Sequence, residues 1–379
     1  MRIEHFDWDG THPVTLAKRI RELQPELSEV SDPVRVIISA IRVDGEEALA
    51  EIEARFRDGP VDPGALRQAD DAIRSATSRL DPALVEALET AAANIRAVAE
   101  AQLGEEREVT LQQGQSVELR EVPVGSAGVY APGGAAAYPS TVLMGCVPAK
   151  VAGAGRVVLA TPAAGDAQRV PDVVLAAAAI AGADEVYAMG GAQAIAALAL
   201  GTERIDPVDV IAGPGNRYVQ EAKRQLVGEV GIDGIAGPSE LMVIAGDTAK
   251  PDWIGLDLCA QAEHGADGLL VAAAVETVML DSIADSVAEV AAKYRIADEA
   301  ALALVAVPDT VTAVTLANAI APEHLEILTE DAELLAATAT TAGCVISTVA
   351  IRRRNAPGPS GPWNRPAPPV GRTWFDPAA

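Results

Sequence analysis

Two histidines in the body of the chain lie beside polar or acidic residues and mark where chemistry should be sought. His324 follows Glu323 in the segment APEHLE (321–326), and His264 follows Gln261 by three positions. The chain has only 4 histidines, and the other two lie near its N-terminus. Because imidazole titrates near neutral pH and is a common metal ligand, these two positions are candidates for catalysis or metal binding.

The pair Glu323 and His324 suits acid–base chemistry. A histidine with an ordinary pKa of about 6.5 can remove a proton from an alcohol near neutral pH. A Glu-His pair on the surface without a catalytic role would have the same sequence. The residues alone therefore leave both the catalytic and the surface interpretation open.

Gln261 and His264 stand three apart near the end of a predicted helix, which places them on one face. A metal ion bridging them would take the imidazole as the stronger ligand. A histidine that interacts with the helix dipole is the simpler alternative. Ser239, in the segment GPSE (237–240), would either cap a helix or bind a ligand.

Three glycine-rich loops follow predicted strands and precede predicted helices. They contain Gly133-Gly134, Gly190-Gly191 and the segment GPGN (213–216). In open α/β sheets ligands bind at the carboxyl ends of strands, where glycine allows close approach and helix N-termini offer N–H groups to phosphates. The loops therefore favour a nucleotide site, although glycines that only close tight turns would look the same.

From residue 128 onward, apolar strands alternate with helices, which predicts parallel sheets with helices on both faces. We expect an α/β fold with two doubly wound, incomplete Rossmann-like parallel-sheet domains, an N-terminal helical arm and an irregular C-terminal tail. The expected divisions are an arm at 1–25, a first, discontinuous α/β domain at 26–127 and 240–348, a second, nucleotide-binding α/β domain at 128–239, and a tail at 349–379.

The composition indicates which partners are excluded and which cellular compartment is expected. The chain has 379 residues, of which 49% are apolar and 3% aromatic, and its formal charge is -25. Such an acidic protein would repel nucleic acid and anionic membranes. The 3 cysteines lie far apart, no apolar run is long enough to span a membrane, and the N-terminus does not resemble a signal peptide. We therefore expect a cytoplasmic protein without disulfides.

Several long segments together resemble histidinol dehydrogenases. The similar segments are GVYAPGGAAAYPSTVLMGCVPAKVAG (128–153), MGGAQAIAALALGT (189–202), IAGPGNRYVQEAKRQLVGEVGIDGIAGPSE (211–240), LCAQAEHGAD (258–267) and NAIAPEHLEI (318–327). This resemblance implies oxidation of L-histidinol to L-histidine, through an enzyme-held aldehyde, with two NAD⁺ and one zinc ion. It also implies a homodimer in which each active site borrows residues from the partner's C-terminal part.

The resemblance assigns roles residue by residue. The positions similar to the family's NAD contacts are Tyr130, Gln193 and Asn216. The implied catalytic pair is Glu323, which would activate water, and His324, the base of each hydride step. The implied substrate-binding residues are Ser239, Gln261, His264 and His324, of which Gln261 and His264 are also implied zinc ligands.

The chain departs from the family's pattern near its C-terminus. The family's two further zinc ligands, an Asp and a His, should follow Cys344, but no Asp or His lies between Ser347 and Phe375, and Gly361 stands where the imidazole is expected. A change of reading frame or a natural truncation would explain this. The alternatives are then an inactive remnant that still binds nucleotide, or a related NAD-dependent dehydrogenase of another small alcohol.

Overall fold

The computed structural model describes residues 1–24, 30–57, 59–104, 107–133, 137–164, 169–235, 239–263, 268–294 and 300–347. These residues form two compact units. The first unit takes its described residues from Met1–Ser28 and Gly237–Pro368, and the second takes them from Glu29–Ala236. The segment 349–379, expected to be an irregular tail, and His264 lie outside the described residues.

The strands, in chain order, are β1 (Arg2–Asp7), β2 (Arg107–Thr110), β3 (Ser116–Leu119), β4 (Ser126–Tyr130), β5 (Arg156–Thr161), β6 (Glu185–Ala188), β7 (Val210–Ala212), β8 (Gly231–Ile232), β9 (Glu240–Ala245), β10 (Leu269–Ala274), β11 (Ala301–Ala306), β12 (His324–Leu328) and β13 (Cys344–Ser347). The helices are α1 (Pro13–Arg21), α2 (Ser31–Ala54), α3 (Asp70–Arg74), α4 (Pro82–Gln102), α5 (Pro139–Val151), α6 (Asp172–Ala181), α7 (Gly191–Leu200), α8 (Arg217–Leu226), α9 (Pro251–Ala262), α10 (Thr277–Tyr294), α11 (Thr310–Ile320) and α12 (Ala332–Ala336). Pro63–Ala65 and Ala76–Arg79 form short 3₁₀ turns.

The first unit is built on a parallel sheet of six strands in the order β1-β11-β10-β9-β12-β13. Successive residues of β9 enter opposite cores: Met242 and Ile244 lie in one apolar cluster, and Leu241 and Val243 in the other. This period of two, within an unbroken apolar run, is what a strand covered on both faces requires. Because β10 and β11 lie on one side of β9 and β12 on the other, the strand order reverses between β9 and β12.

The second unit repeats this arrangement with a parallel sheet of five strands in the order β6-β5-β4-β7-β8. Val157 and Leu159 of β5 point into one core, and Val158 and Ala160 into the other. Here the order reverses between β4 and β7. The predicted fold class, two doubly wound parallel-sheet domains, is confirmed, and the described residues add a small antiparallel hairpin of β2 and β3.

The expected N-terminal arm is instead part of the first sheet. Strand β1 pairs in parallel with β11, from Arg2 opposite Ala301 to Asp7 opposite Ala306. It is an edge strand in which only Phe6 is buried, so its sequence lacks the apolar run that reveals the inner strands. Helix α1 packs against α11 and closes the same core.

The structure also differs from the expected assignment of residues 26–127 to the domain that contains 240–348. Helix α2 packs on α7 and α8 of the second unit, and α4 packs on α5 and α6. The apolar stripe of α2, which includes Val34 and Ile41, belongs to the same core as Ile195. Helical periodicity reveals which face of a helix is buried, but it does not reveal which sheet covers that face.

Among the described residues, no helix is both long and apolar enough to cross a membrane.

Candidate active site

The segment that carries Glu323 and His324 starts at a strained turn. Helix α11 ends at Ile320 and is capped by Ala321, whose φ of 52° and ψ of 59° lie in the left-handed region. The N–H of Ala321 donates to the carbonyl of Ala317 at 2.8 Å. Pro322 follows and cannot continue the helix. Since alanine adopts this conformation at a cost of roughly 1 kcal/mol, the turn must be held by its surroundings.

Glu323 lies beside the start of strand β9. Its Oε2 accepts the backbone N–H of Glu240 at 3.2 Å and lies 3.5 Å from Nδ1 of His324. Burial raises the pKa of Glu323, but His324, the hydroxyl of Ser239 and the N–H of Glu240 together hold that pKa below its ordinary value. The carboxylate is therefore ionised at neutral pH, as a group that activates water must be.

Arg21, on helix α1, connects the start of strand β9 to the end of helix α11. Its guanidinium donates to both carboxylate oxygens of Glu240, at 2.7 and 3.1 Å, and to the carbonyl of Ile320 at 2.5 Å. Glu240 opens β9, and Ile320 precedes the strained Ala321. One side chain thus fixes both the strand that donates to Glu323 and the helix end that leads into it. The sequence gives no sign of this long-range contact.

The structure brings Ser239, Glu323 and His324 together, and places Gln261 on the same side of the sheet as His324. His324 opens β12 opposite Leu241, and Leu241 belongs to the core that α9 covers. Gln261, on α9, is 3% exposed, and its Nε2 has no hydrogen-bond partner among the described residues. A buried amide without a partner is a group that a ligand would satisfy.

The described residues offer no cluster of three His, Cys, Asp or Glu side chains that could hold a metal ion. Of the two implied zinc ligands, only Gln261 is described, and its neutral amide is a weak donor. Zinc sites normally take three or four protein groups. The described residues therefore do not make a complete zinc site.

In the second unit, Tyr130 ends strand β4 with its side chain turned inward. It is 3% exposed, and its hydroxyl accepts the N–H of Gly191 at 3.1 Å. Burial, together with the nearby charge of Glu53, raises the pKa of Tyr130 to about 12, so the phenol stays protonated near neutral pH.

Gln193 lies in the first turn of α7, next to the loop Gly190-Gly191. Its Nε2 donates to Oε1 of Glu53 at 2.8 Å, and the N–H of Gly190 donates to the same oxygen at 2.9 Å. Arg57 donates to the other oxygen of Glu53 at 2.8 Å. Glu53 lies in the last turn of α2, and Arg57 lies in the turn that follows the helix, four positions further along. Sequence reasoning missed both because a pair with this spacing is commonly found on helix surfaces.

Asn216 caps helix α8, where its Oδ1 accepts the N–H groups of Tyr218 at 3.0 Å and Val219 at 3.3 Å. The preceding loop is held by Lys223, which is 1% exposed and donates to the carbonyl of Gly213 and to Asp233, each at 2.6 Å. Asp233 in turn accepts the N–H of Gly213 at 2.8 Å. Sequence reasoning missed this buried lysine too.

Gly213 brings this loop against the end of β4. Its φ is +125°, and a Cβ atom at this position would lie 2.0 Å from the carbonyl oxygen of Tyr130, so only glycine fits. Tyr130, at the end of β4, and Asn216, after β7, therefore flank the point where the strand order reverses. In open α/β sheets this crevice is where nucleotides bind, and the geometry fits such a ligand.

Comparison with known proteins agrees with these features. The sequence profile described as histidinol dehydrogenase matches residues 21–350. A protein of Rhodospirillum rubrum named histidinol dehydrogenase is 44% identical over 328 residues, which cover 84% of this chain and 74% of the relative. One from Methylococcus capsulatus is 41% identical over 329 residues, covering 85% and 75%.

A solved structure, that of histidinol dehydrogenase from Elizabethkingia anophelis, superimposes with a TM-score of 0.82 and 30% sequence identity. The match covers 92% of this chain and 80% of that one. The profile, the relatives and the fold agree, and the chain belongs to the histidinol dehydrogenase family.

Proposed function

We propose that this chain oxidises L-histidinol to L-histidine through histidinal, using two NAD⁺, the last steps of histidine biosynthesis. The observation that carries the proposal is the ionised Glu323 beside His324, at the point where Ser239 and the N–H of Glu240 converge on one carboxylate. Family membership supplies the substrate, and this geometry supplies the acid–base groups that the reaction needs.

Each group has a proposed role in this reaction. NAD⁺, when bound, accepts a hydride from the carbon being oxidised. His324 takes the proton of the substrate alcohol, and in the second oxidation it takes the proton of the aldehyde hydrate. Glu323 takes a proton from the water that adds to the aldehyde. Tyr130, Gln193 and Asn216 hold the dinucleotide beside the glycine loops.

Ser239 and Gln261 are proposed to bind the polar groups of the substrate, together with His264 and His324. The unpartnered Nε2 of Gln261 supports this role. Zinc is expected from family membership, with Gln261 and His264 as its ligands in this chain. Because two neutral ligands do not complete a zinc site, no step of the proposed reaction is assigned to the metal.

Two further properties belong to the proposal. We propose a homodimer located in the cytoplasm, and family membership supports both. Size-exclusion chromatography with light scattering would test the first, and a monomer at micromolar concentration would contradict it.

The reaction is tested by following NADH formation from L-histidinol with the full-length chain. Replacing His324 by Asn should slow oxidation of both L-histidinol and histidinal by about 10²- to 10⁴-fold, the usual contribution of a general base. Replacing Glu323 by Gln should slow the oxidation of histidinal more than that of histidinol. The His5→Asn variant, altered in strand β1, is the matched control and should keep normal rates.

Two outcomes would contradict the proposal. Equal losses in both oxidations for Glu323→Gln would remove its specific role with water. A wild-type chain that reduces NAD⁺ with other small amino alcohols, but not with L-histidinol, would favour the alternative of a related dehydrogenase.

A further inference from the structure

The amino end of helix α7 is occupied by a carboxylate of the chain itself. Glu53 is 3% exposed, and its Oε1 accepts the N–H of Gly190 at 2.9 Å and Nε2 of Gln193 at 2.8 Å. Its Oε2 accepts Nη2 of Arg57 at 2.8 Å. Helix N-termini commonly bind phosphate in nucleotide sites. At α7 a buried carboxylate of the chain already accepts the N–H of Gly190, the residue that precedes the helix, so this carboxylate has a task other than binding phosphate.

The task of Glu53 follows from the direction of its hydrogen bond with Gln193. An ionised carboxylate only accepts hydrogen bonds, so the atom of Gln193 that faces Glu53 must be the amide nitrogen. The other end of the carboxamide is then Oε1, which only accepts. By accepting a hydrogen bond from Nε2, Glu53 leaves Oε1 of Gln193 as the atom that a ligand can reach.

Arg57 stabilises this arrangement. Its side chain is 7% exposed and that of Glu53 is 4% exposed, and Arg57 also donates to the carbonyl of Ala188 at the end of β6. A buried carboxylate with a buried guanidinium partner and two further donors has both oxygens satisfied. The pair anchors the end of β6, the glycine loop and the first turn of α7 as one unit.

We propose that Glu53 is a positioning residue for cofactor binding: it orients Gln193 so that Oε1 accepts a hydrogen bond from a hydroxyl or amide group of NAD⁺. This inference rests on the proposed role of Gln193 in binding the dinucleotide. It goes further by assigning the direction of that hydrogen bond and the residue that sets it.

The Glu53→Gln variant tests the orientation directly, by isothermal titration of the full chain with NAD⁺. In either orientation of the new amide, its NH₂ group points at another hydrogen-bond donor, either Arg57 or the N–H groups of Gly190 and Gln193. We expect NAD⁺ to bind about tenfold more weakly, equivalent to about 1.4 kcal/mol. Glu51→Gln is the matched control on the same helix, because Glu51 is exposed and pairs with Arg55. It should leave the affinity unchanged.

Glu53→Asp keeps the charge beside Arg57 but withdraws the oxygen from Gln193. It should lower the affinity for NAD⁺ to a similar extent with a smaller loss of thermal stability. This variant keeps the proposal testable if Glu53→Gln folds poorly. Normal affinity in a folded Glu53→Asp protein would overturn the proposal.

A pair of variants that exchanges the carboxylate and the amide tests the direction of the hydrogen bond between Glu53 and Gln193. Gln193→Glu sets two carboxylates against each other and should weaken NAD⁺ binding by more than about tenfold. In the double variant with Glu53→Gln, donor and acceptor are exchanged and an oxygen still faces the ligand. It should bind NAD⁺ more tightly than Gln193→Glu alone.

Two results separate the possible failures. If the two single effects simply add in the double variant, the orienting role of Glu53 is overturned while NAD⁺ binding stands. If the wild-type chain does not bind NAD⁺ at all, the proposed function fails together with this inference.

Discussion

The two sheets place their candidate functional residues at opposite ends. In the second unit, Tyr130 and Asn216 lie at the carboxyl ends of β4 and β7, where the strand order reverses. In the first unit the order reverses between β9 and β12, but Glu240 and His324 lie at the amino ends of those strands. The same architecture thus carries the proposed nucleotide site at the carboxyl edge of one sheet and the proposed acid–base groups at the amino edge of the other.

The difference follows from what each edge exposes. At carboxyl ends the chain enters helices, whose free N–H groups and glycine turns can approach a ligand closely. At amino ends the chain leaves helices, and the last turn of α11 presents carbonyl oxygens instead. There Arg21 has to supply the positive charge, which it does by binding the carbonyl of Ile320.

Each edge is held by one arginine–glutamate pair, but the two pairs differ in exposure. The side chains of Arg57 and Glu53 are 7% and 4% exposed, whereas those of Arg21 and Glu240 are 38% and 9% exposed. Breaking a buried pair leaves a desolvated charge without its partner, whereas an exposed partner is replaced by water. Glu53 and Glu240 are both buried, so removing either arginine should lower stability. The loss should be smaller for Glu240, because water can take the place of the more exposed Arg21.

The largest expected effect is on the stability of the second unit. Arg57→Met leaves the carboxylate of Glu53 buried beside a thioether, and should lower the free energy of unfolding by about 3–5 kcal/mol. Arg55→Met, which breaks only the exposed pair with Glu51, should change it by less than about 1 kcal/mol. Urea unfolding of both variants measures this. Equal losses would remove the contrast between buried and exposed pairs.

Arg21→Met should lower stability less than Arg57→Met does, and it should also slow catalysis. Without its guanidinium, neither the turn at Ala321 nor Glu240 is fixed, and a small displacement of Glu323 and His324 should lower kcat by about ten- to a hundredfold. The KM for NAD⁺ should remain unchanged. Arg19→Met is the control on the same helix, because Arg19 lies over the ring of Phe6 and not beside Glu240. A variant that lost affinity for NAD⁺ at constant kcat would contradict this division of roles.

The smallest expected effect is a difference in how the two edges respond to pH. The folded pKa of Glu323 is lowered, so its stabilising contribution is present above the ordinary glutamate pKa and is lost as pH falls through the folded value. The folded pKa of Tyr130 is raised to about 12, so its contribution is present below 10 and is lost as pH rises towards 12.

Paired variants isolate these two contributions. Relative to wild type, Glu323→Gln should show its stability deficit near neutral pH, and the deficit should shrink in acid. Tyr130→Phe should show its deficit near neutral pH, and the deficit should shrink in strong alkali. Thermal unfolding across pH measures both, and deficits that stay constant with pH would refute the assignment.

The interior of the fold was predictable from sequence because inner parallel strands are unbroken apolar runs. The polar edge strand β1 escaped detection, since a strand with a single neighbour needs few buried side chains. The site was accessible through segments that resemble the family, including Gln193 and Glu323. The residues that support the site were not accessible in this way. Glu51–Arg55 and Glu53–Arg57 have the same spacing around the end of α2, and only tertiary packing decides which pair is buried.

The pairing of β1 also has a consequence for biosynthesis. Among the described residues, residues 2–7 pair only with residues 301–306, whereas the five-stranded sheet is built entirely from the chain between them. Domains generally fold as units while the ribosome is still translating. Strand β1 should therefore wait, unpaired, until residues 301–306 have been made. A nascent-chain arrest series should show protease protection of residues 2–7 appearing after that of the five-stranded sheet.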